Sequence, residues 1–276
     1  MNHFEWSWTQ EGVKFYAQGW SPPQTKGVVC LIHGFNEHSG RYRHVAERLC
    51  QAGYAMLSFD EFGHGRTEGK RGYAPSYDAM LDSVKIILDE ANTRFPNTPI
   101  FLYGHSMGGA IVVNFILKRS SAIKGAIATA PLFKLAFEPP AFKVFLAWMM
   151  KSIYPKFSEK ANLDADAISR DKEEVRKYIA DPYNHGRITA GLFFGMHKAG
   201  KWALAHAGEL KTPLLIMHGT ADRLTSYEAS KEFSEKASDQ FLTFKSWEGY
   251  YHELHNEPEP DRTEVVNYII KWLEAY

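Results

Sequence analysis

The feature that most constrains the fold is a repeated alternation between short apolar runs and longer segments in which apolar residues recur at helical spacing. The runs are almost continuously apolar, which is typical of strands buried on both faces of a parallel sheet. The predicted strands are residues 28–32, 55–59, 100–103, 126–129, 214–217 and 241–244. The predicted helices are residues 41–52, 77–94, 107–118, 227–237 and 262–275. The pattern therefore predicts an α/β fold, with a doubly wound and mostly parallel sheet and helices on both faces.

Two regions depart from this alternation. Residues 4–9 and 13–19 each alternate between apolar and polar residues around a short turn, which predicts an antiparallel pair at the N-terminus. Between residues 132 and 210, two or three helices replace the expected strand and helix. Open α/β sheets bind ligands at the carboxyl ends of their strands, so an insertion that leaves from there covers the site. We therefore expect a core of residues 1–131 and 211–276 and a helical cap (lid) of residues 132–210.

Composition narrows the class of partner. Thirty-two basic residues balance thirty-two acidic ones, without the basic patch of a nucleic-acid-binding protein. Only two cysteines are present, and Cys30 lies in an apolar run, so no disulfide framework is expected. The first residues lack a basic region followed by an apolar stretch. We expect a cytoplasmic protein acting on a small, fairly neutral molecule, and its oligomeric state stays open.

The candidate nucleophile is Ser106, because Gly104-His105-Ser106-Met107-Gly108 matches the pattern G-x-S-x-G. A pattern this short arises by chance in roughly one protein of this length in ten, given ordinary glycine and serine frequencies. Here a predicted strand comes directly before it and a predicted helix directly after it. This strand–turn–helix arrangement is the one in which a strained serine is exposed above a sheet.

Acyl transfer also needs donors for the negative oxygen of the tetrahedral intermediate. The helix after Ser106 directs its free N–H groups and positive dipole end to that place, and Met107 N–H is the first candidate donor. The second is expected in the loop after strand 28–32, where His33-Gly34 begins a typical loop of this kind and Phe35 N–H is the candidate. His33 is predicted to lie at the substrate and to orient the loop rather than to transfer protons.

A serine hydroxyl needs a base, and the base needs a carboxylate that holds its tautomer. In strand–turn–helix serine enzymes the chain order is serine, acid, histidine. Asp222 follows strand 214–217 and His252 follows strand 241–244, so both are expected at the same edge of the sheet as Ser106. These three residues form the predicted catalytic triad.

Other residues could take two of these roles. His255 is the main alternative base, and Glu248 is the alternative carboxylate. His218 precedes Asp222 too closely to bond both it and the serine easily. The segment 252–255 is one residue short of the zinc motif H-E-x-x-H, so neither a metal nor another cofactor is expected.

Taken together, these motifs resemble the monoacylglycerol lipase and lysophospholipase family of α/β-hydrolases. The matching segments are residues 33–42, 60–65, 104–109, 218–223 and 251–257, which span nearly the whole chain outside the cap. The resemblance implies the α/β-hydrolase fold, a serine esterase without cofactors, oxyanion donors at Phe35 and Met107, and the same triad. Two positions depart from the family's pattern: Glu61 stands where members often carry a non-acidic residue, and Tyr183-Asn184 is more polar than expected. A carboxylate at 61 is expected near the pocket mouth, where it would alter head-group preference.

Residues 141–150 of the predicted cap are rich in large apolar side chains. Phe142, Phe145, Trp148 and Met149 are predicted to line the acyl-chain pocket. Alternatively, the segment packs on the core as an ordinary helix. With Lys143 and Lys151 nearby, it also fits an interfacial helix that makes transient, peripheral contact with a membrane.

The leading hypothesis for function is hydrolysis of a carboxylic ester through an acyl-enzyme, with a monoacylglycerol, a lysophospholipid or a simple ester as substrate. The same triad also serves thioesterases, amidases and hydrolases of carbon–carbon bonds. A hypothesis of a different class is a non-catalytic ligand receptor on a hydrolase fold.

Overall fold

The computed structural model describes residues 1–119, 122–142, 144–145, 148–149, 154, 156–161 and 163–276. Its centre is an 8-stranded sheet with the order β1-β2-β4-β3-β5-β6-β9-β10. The strands are β1 (Asn2–Gln10), β2 (Val13–Ser21), β3 (Gly27–Ile32), β4 (Tyr54–Phe59), β5 (Ile100–His105), β6 (Gly125–Thr129), β9 (Leu214–Gly219) and β10 (Leu242–Trp247). β1 pairs antiparallel with β2, β2 pairs antiparallel with β4, and the pairs from β4 to β10 are parallel.

Helices cover both faces of this sheet because its central strands are apolar on both sides. They are α1 (Arg43–Gln51), α2 (Tyr77–Arg94), α3 (Met107–Lys118), α4 (Lys172–Ala180), α5 (Ala190–Ala205), α6 (Tyr227–Lys236) and α7 (Asp261–Leu273). Helices α1 and α7 pack on one face, and α2, α3, α5 and α6 pack on the other. The 3₁₀ helices in the described part of the chain are Ser39–Tyr42, Ala165–Ala167, Ala207–Glu209 and Leu254–Asn256.

The fold predicted from the sequence is confirmed. Every predicted strand and helix of the core is present, with ends that shift by a few residues. The largest shift is at the end of β10, which continues to Trp247, and α1 begins after the predicted start because the 3₁₀ helix Ser39–Tyr42 precedes it. Terminal turns often adopt this tighter geometry, which apolar spacing does not reveal.

The inserted region contains more than helices. Strands β7 (Ser158–Lys160) and β8 (Arg187–Thr189) form a separate antiparallel pair, and α4 lies between them. Three-residue strands have too few positions to show a period, so the sequence did not predict them. Helix α5 packs through Leu192, Met196 and Leu204 into the same apolar cluster as the sheet. We therefore propose that α5 belongs to the core layer and that the covering part of the cap ends before it.

Among the described residues, no helix combines the length and the apolarity needed to cross a bilayer.

Candidate active site

Ser106 lies at the sharp turn between β5 and α3, where its backbone has φ 54° and ψ −114°. The two motif glycines explain how the chain can turn so tightly. A Cβ on Gly104 would lie 2.2 Å from the carbonyl oxygen of Gly108, and a Cβ on Gly108 would lie 2.0 Å from the carbonyl oxygen of Ile32. Side chains at both positions would therefore collide with backbone, and only glycine fits.

Asp222 is held in the loop after β9 by hydrogen bonds to both of its carboxylate oxygens. Oδ1 accepts from the backbone N–H groups of Leu224 (2.7 Å) and Thr225 (3.0 Å). Oδ2 accepts from the Thr225 hydroxyl (2.8 Å) and lies 3.0 Å from His218 Nε2. Burial alone would raise the pKa of Asp222, but the nearby His252 and the hydrogen bond from His218 outweigh it and hold that pKa well below its usual range.

His252 reaches the same carboxylate from the loop after β10. Its Nδ1 lies 2.7 Å from Asp222 Oδ2, and the Asp222 side chain is fully buried. Burial alone would lower the pKa of His252, yet the Asp222 carboxylate overcomes this and raises that pKa above its ordinary value. A base oriented in this way has its Nε2 free for the nucleophile.

Ser106 and His252 line one cavity of about 300 Å³. No hydrogen bond joins the Ser106 hydroxyl to His252 among the residues that the structure describes. In serine enzymes this contact often tightens only when substrate binds. The three predicted triad residues thus meet at one site, with the acid–base contact already formed.

The loop that follows β3 lies directly against Ser106. A Cβ on Gly34 would be 3.1 Å from the Ser106 Cβ, and Phe35 lines the cavity. Gly34 N–H donates to Glu37 Oε1 at 2.5 Å, which anchors this loop from within. On the other side, Met107 is the first residue of α3 and its N–H has no acceptor one turn earlier in the helix. Of the two proposed oxyanion donors, Met107 therefore follows Ser106 in the chain, and Phe35 lies in the loop that packs against it.

The alternative acid and base do not face this cavity. Glu248 is exposed. His255 is buried and stacks on Tyr42 with ring centroids 4.6 Å apart. His218 bonds Asp222, and its Nδ1 lies 2.8 Å from the Ser230 hydroxyl. His218 thus contacts Asp222 from the side opposite Ser230, a contact that the sequence argument does not predict.

The structure does not bring the four predicted acyl-pocket residues to the cavity. Phe142, Phe145, Trp148 and Met149 are exposed, by 69%, 59%, 64% and 37%, and none lines the cavity. Of the residues between 141 and 150 that the structure describes, Val144 lines the cavity. The predicted basic neighbours Lys143 and Lys151 lie outside the described residues.

His33 is not a cavity residue either. It is fully buried, its Nδ1 lies 2.7 Å from the Gly34 carbonyl oxygen, and its Nε2 accepts from the Glu61 N–H at 2.9 Å. Its predicted role in orienting the loop fits these bonds, and its predicted contact with substrate stays a prediction that this geometry does not support.

The expectation for Glu61 also fails. Its side chain is fully buried and does not line the cavity, because the loop after β4 turns it toward Ser83 of α2. Burial raises the pKa of Glu61 to about 8. The other departure, Tyr183-Asn184, lies on the cap, where Asn184 Nδ2 donates to the Tyr178 carbonyl oxygen at 2.9 Å.

Sequence reasoning missed an ionic cluster at the polar end of the cavity. Arg41 donates to both carboxylate oxygens of Glu253, at 2.6 and 2.7 Å, and to Glu37 at 2.9 Å. Both glutamates line the cavity, and all three side chains are buried. Arg41 and Glu253 lie in segments that match the family, but they are 212 positions apart, so no local sequence pattern indicates that they pair.

The remaining lining is largely apolar. It includes Leu132, Leu135, Phe137, Val144, Phe193 and Met196. Among the described residues, no group of three or more histidine, cysteine, aspartate or glutamate side chains could hold a metal ion.

Comparison with known proteins places the chain among serine hydrolases. The Hydrolase_4 family model, described as "Serine aminopeptidase, S33", matches residues 23–259. The monoacylglycerol lipase of Mycolicibacterium smegmatis is 32% identical over 96% of this chain and 94% of its own length. An uncharacterized abhydrolase domain-containing protein of Dictyostelium discoideum is 34% identical over 92% of this chain, which spans 27% of that relative's length. The crystal structure of Paleococcus ferrophilus monoacylglycerol lipase superimposes with a TM-score of 0.86 and 34% identity, covering 94% of this chain and 98% of that one.

Proposed function

We propose, on the premise that this chain belongs to the Hydrolase_4 family of serine hydrolases, that it cleaves monoacylglycerol-like or lysophospholipid-like esters through an acyl-enzyme on Ser106. It is a carboxylic ester hydrolase by family and by its similarity to monoacylglycerol lipases across most of their length. The observation that carries the assignment of roles is the 2.7 Å contact between His252 Nδ1 and Asp222 Oδ2 beside a cavity that Ser106 also lines.

In the proposed mechanism, Ser106 Oγ attacks the ester carbonyl carbon and His252 Nε2 takes its proton. The Phe35 and Met107 N–H groups bind the negative oxygen of the tetrahedral intermediate. As the intermediate collapses, His252 returns the proton to the leaving alcohol. Water then attacks the acyl-enzyme with the same base, which releases the carboxylic acid. Asp222 keeps the Nδ1 proton in place and stabilises the imidazolium.

The lining of the cavity favours an amphipathic substrate. Its apolar walls suit an acyl chain, and the Glu37 and Glu253 carboxylates offer acceptors for hydroxyl groups of the leaving alcohol. Both carboxylates are already paired with Arg41, so their negative charges stay balanced when a neutral polyol head group binds.

Membrane contact through the cap belongs to the same proposal. Phe145 and Trp148 are exposed and stack with ring centroids 6.2 Å apart, and Val144 of the same segment lines the cavity. An exposed apolar surface on the segment that also lines the cavity would favour transient contact with the lipid that supplies the substrate. The double variant Phe145→Ser/Trp148→Ser should lose co-sedimentation with phosphatidylcholine vesicles and retain hydrolysis of p-nitrophenyl butyrate. Undiminished co-sedimentation would refute this contact.

A substrate panel tests the activity. We expect turnover of monoacylglycerol and lysophosphatidylcholine, and of p-nitrophenyl esters with rates that depend on acyl length. Acyl-CoA thioesters and aminoacyl p-nitroanilides test the thioesterase and amidase alternatives, and turnover of these alone would contradict the proposal.

Labelling with a fluorophosphonate separates the enzyme from a receptor. The wild type should label and Ser106→Ala should not. A folded wild type that fails to label would favour a non-catalytic ligand receptor.

A further inference from the structure

Asn36 occupies a special position in the oxyanion loop, the segment 34–37 that carries the Phe35 N–H. It follows Phe35 directly, and its backbone has φ 61°, a left-handed conformation that asparagine tolerates better than most residues. Its side chain is buried even though loops of this kind commonly run over the surface. What buries it is the cap.

Both ends of the Asn36 carboxamide are engaged by cap residues. Its Nδ2 donates to the Tyr178 hydroxyl oxygen at 2.5 Å, and its Oδ1 accepts from the backbone N–H of Gly186. These partners lie 142 and 150 positions further along the chain, at the end of α4 and just before β8. One side chain therefore joins the loop beside the nucleophile to two separate points of the cap.

Neighbouring contacts hold the same two segments together. His38 Nε2 lies 2.9 Å from Asp181 Oδ2, and the Arg41 guanidinium lies over the Tyr178 ring at 4.9 Å. Asn36 differs from His38 and Arg41 because it directly follows Phe35, whose N–H is the proposed donor. The Gly34 N–H is held by Glu37 of the same loop, whose Oε1 also accepts from the Tyr42 hydroxyl, whereas the Asn36 side chain is held by the cap.

We propose that Asn36 is a positioning residue which couples seating of the cap to assembly of the oxyanion hole. With the cap seated, the two amide hydrogen bonds hold the backbone at 35–36 so that the Phe35 N–H is directed at the tetrahedral oxygen. When the cap lifts, both bonds break and that donor loses its alignment. The inference rests on the proposed function, since it assigns a control element to the same site.

The chain offers a matched set of variants. Asn36→Gly removes both hydrogen bonds and tolerates the positive φ. Tyr178→Phe removes one of them and keeps the ring over Arg41. The control is Asn97→Gly, because Asn97 has a similar φ of 59° in an exposed turn after α2.

The readouts separate positioning from mere stabilisation. With p-nitrophenyl butyrate, Asn36→Gly should lower kcat by about 10- to 100-fold with little change in KM, as expected when one oxyanion donor is misaligned. An alkylboronic acid forms a tetrahedral adduct with the serine, so its Ki should rise by a similar factor. The kcat and the boronate Ki of Tyr178→Phe should lie between those of wild type and those of Asn36→Gly. Both values for Asn97→Gly should match wild type.

Several results would overturn the inference. It fails if Asn36→Gly matches Asn97→Gly in kcat and boronate Ki, or if KM alone rises. Should Asn36→Gly not fold, Tyr178→Phe decides by the same two readouts. An active, fluorophosphonate-labelled wild type with an unimpaired Asn36→Gly overturns this inference alone, whereas a wild type without activity or labelling overturns the proposed function as well.

Discussion

Replacing Glu61 with glutamine should stabilise the protein, and increasingly so as the pH rises. The Glu61 side chain is fully buried, and its Oε2 has no hydrogen-bond partner among the described residues. Its Oε1 accepts from the Phe62 N–H at 2.9 Å and from the more distant Ser83 hydroxyl at 3.4 Å. Burial outweighs these bonds and raises the pKa of the carboxyl from 4.5 to about 8 in the folded protein.

The sign follows from proton linkage. Between pH 4.5 and 8 the folded protein holds a proton on Glu61 that the unfolded chain has released, so the stability that Glu61 contributes falls as the pH rises through this window. At 1.36 kcal/mol for each pH unit, the difference in unfolding free energy between Glu61→Gln and wild type should grow by about 4 kcal/mol from pH 5 to pH 9. A pH-independent cost of burying the glutamine amide does not affect this change, because that cost is the same at pH 5 and at pH 9.

Urea unfolding followed by tryptophan fluorescence at pH 5, 6, 7, 8 and 9 measures the effect. The exposed Glu248→Gln is the control, and its curve should run parallel to that of wild type. If the Glu61→Gln curve is also parallel, Glu61 is ionised in the folded protein and the argument from burial is wrong.

Three further predictions concern the active site. The Asp222 carboxylate raises the pKa of His252 above 6.5, so kcat/KM for a neutral ester should fall as the pH is lowered through that raised value. A kcat/KM that is flat down to pH 5 would contradict the role of the His252 imidazole as the base. Asp222→Asn should lower kcat by about 10⁴-fold in protein that circular dichroism shows to be folded, because the amide favours the wrong tautomer of His252; a loss of less than about 10-fold would contradict its assignment as the acid. Gly108→Ala should lower stability by about 3 kcal/mol or prevent folding, since its Cβ would lie 2.0 Å from the Ile32 carbonyl oxygen, and a melting temperature equal to that of wild type in calorimetry would refute this steric argument.

Much of the site was predictable because its features are local in the chain. The strained turn at Ser106 needs a strand, two glycines and a helix, and all of them lie within about twenty residues. Asp222 and His252 could be proposed because each follows an apolar strand, and parallel strands end at one edge of the sheet. The cap segment is harder to interpret from sequence for the opposite reason. The large side chains of residues 141–150 have similar hydrophobicity, so composition could not say which of them faces the pocket.

The order of strands and helices, the tight turn at Ser106 and the residues proposed for the triad follow from patterns within the chain, because periodicity and turn geometry act between near neighbours. Which side chains surround these residues depends on tertiary packing. The pairing of Arg41 with Glu253 and of Asn36 with Tyr178 joins residues 212 and 142 positions apart. Such contacts depend on how the cap and the loops pack over the sheet, and burial then sets their strength by removing water from charges and hydrogen bonds.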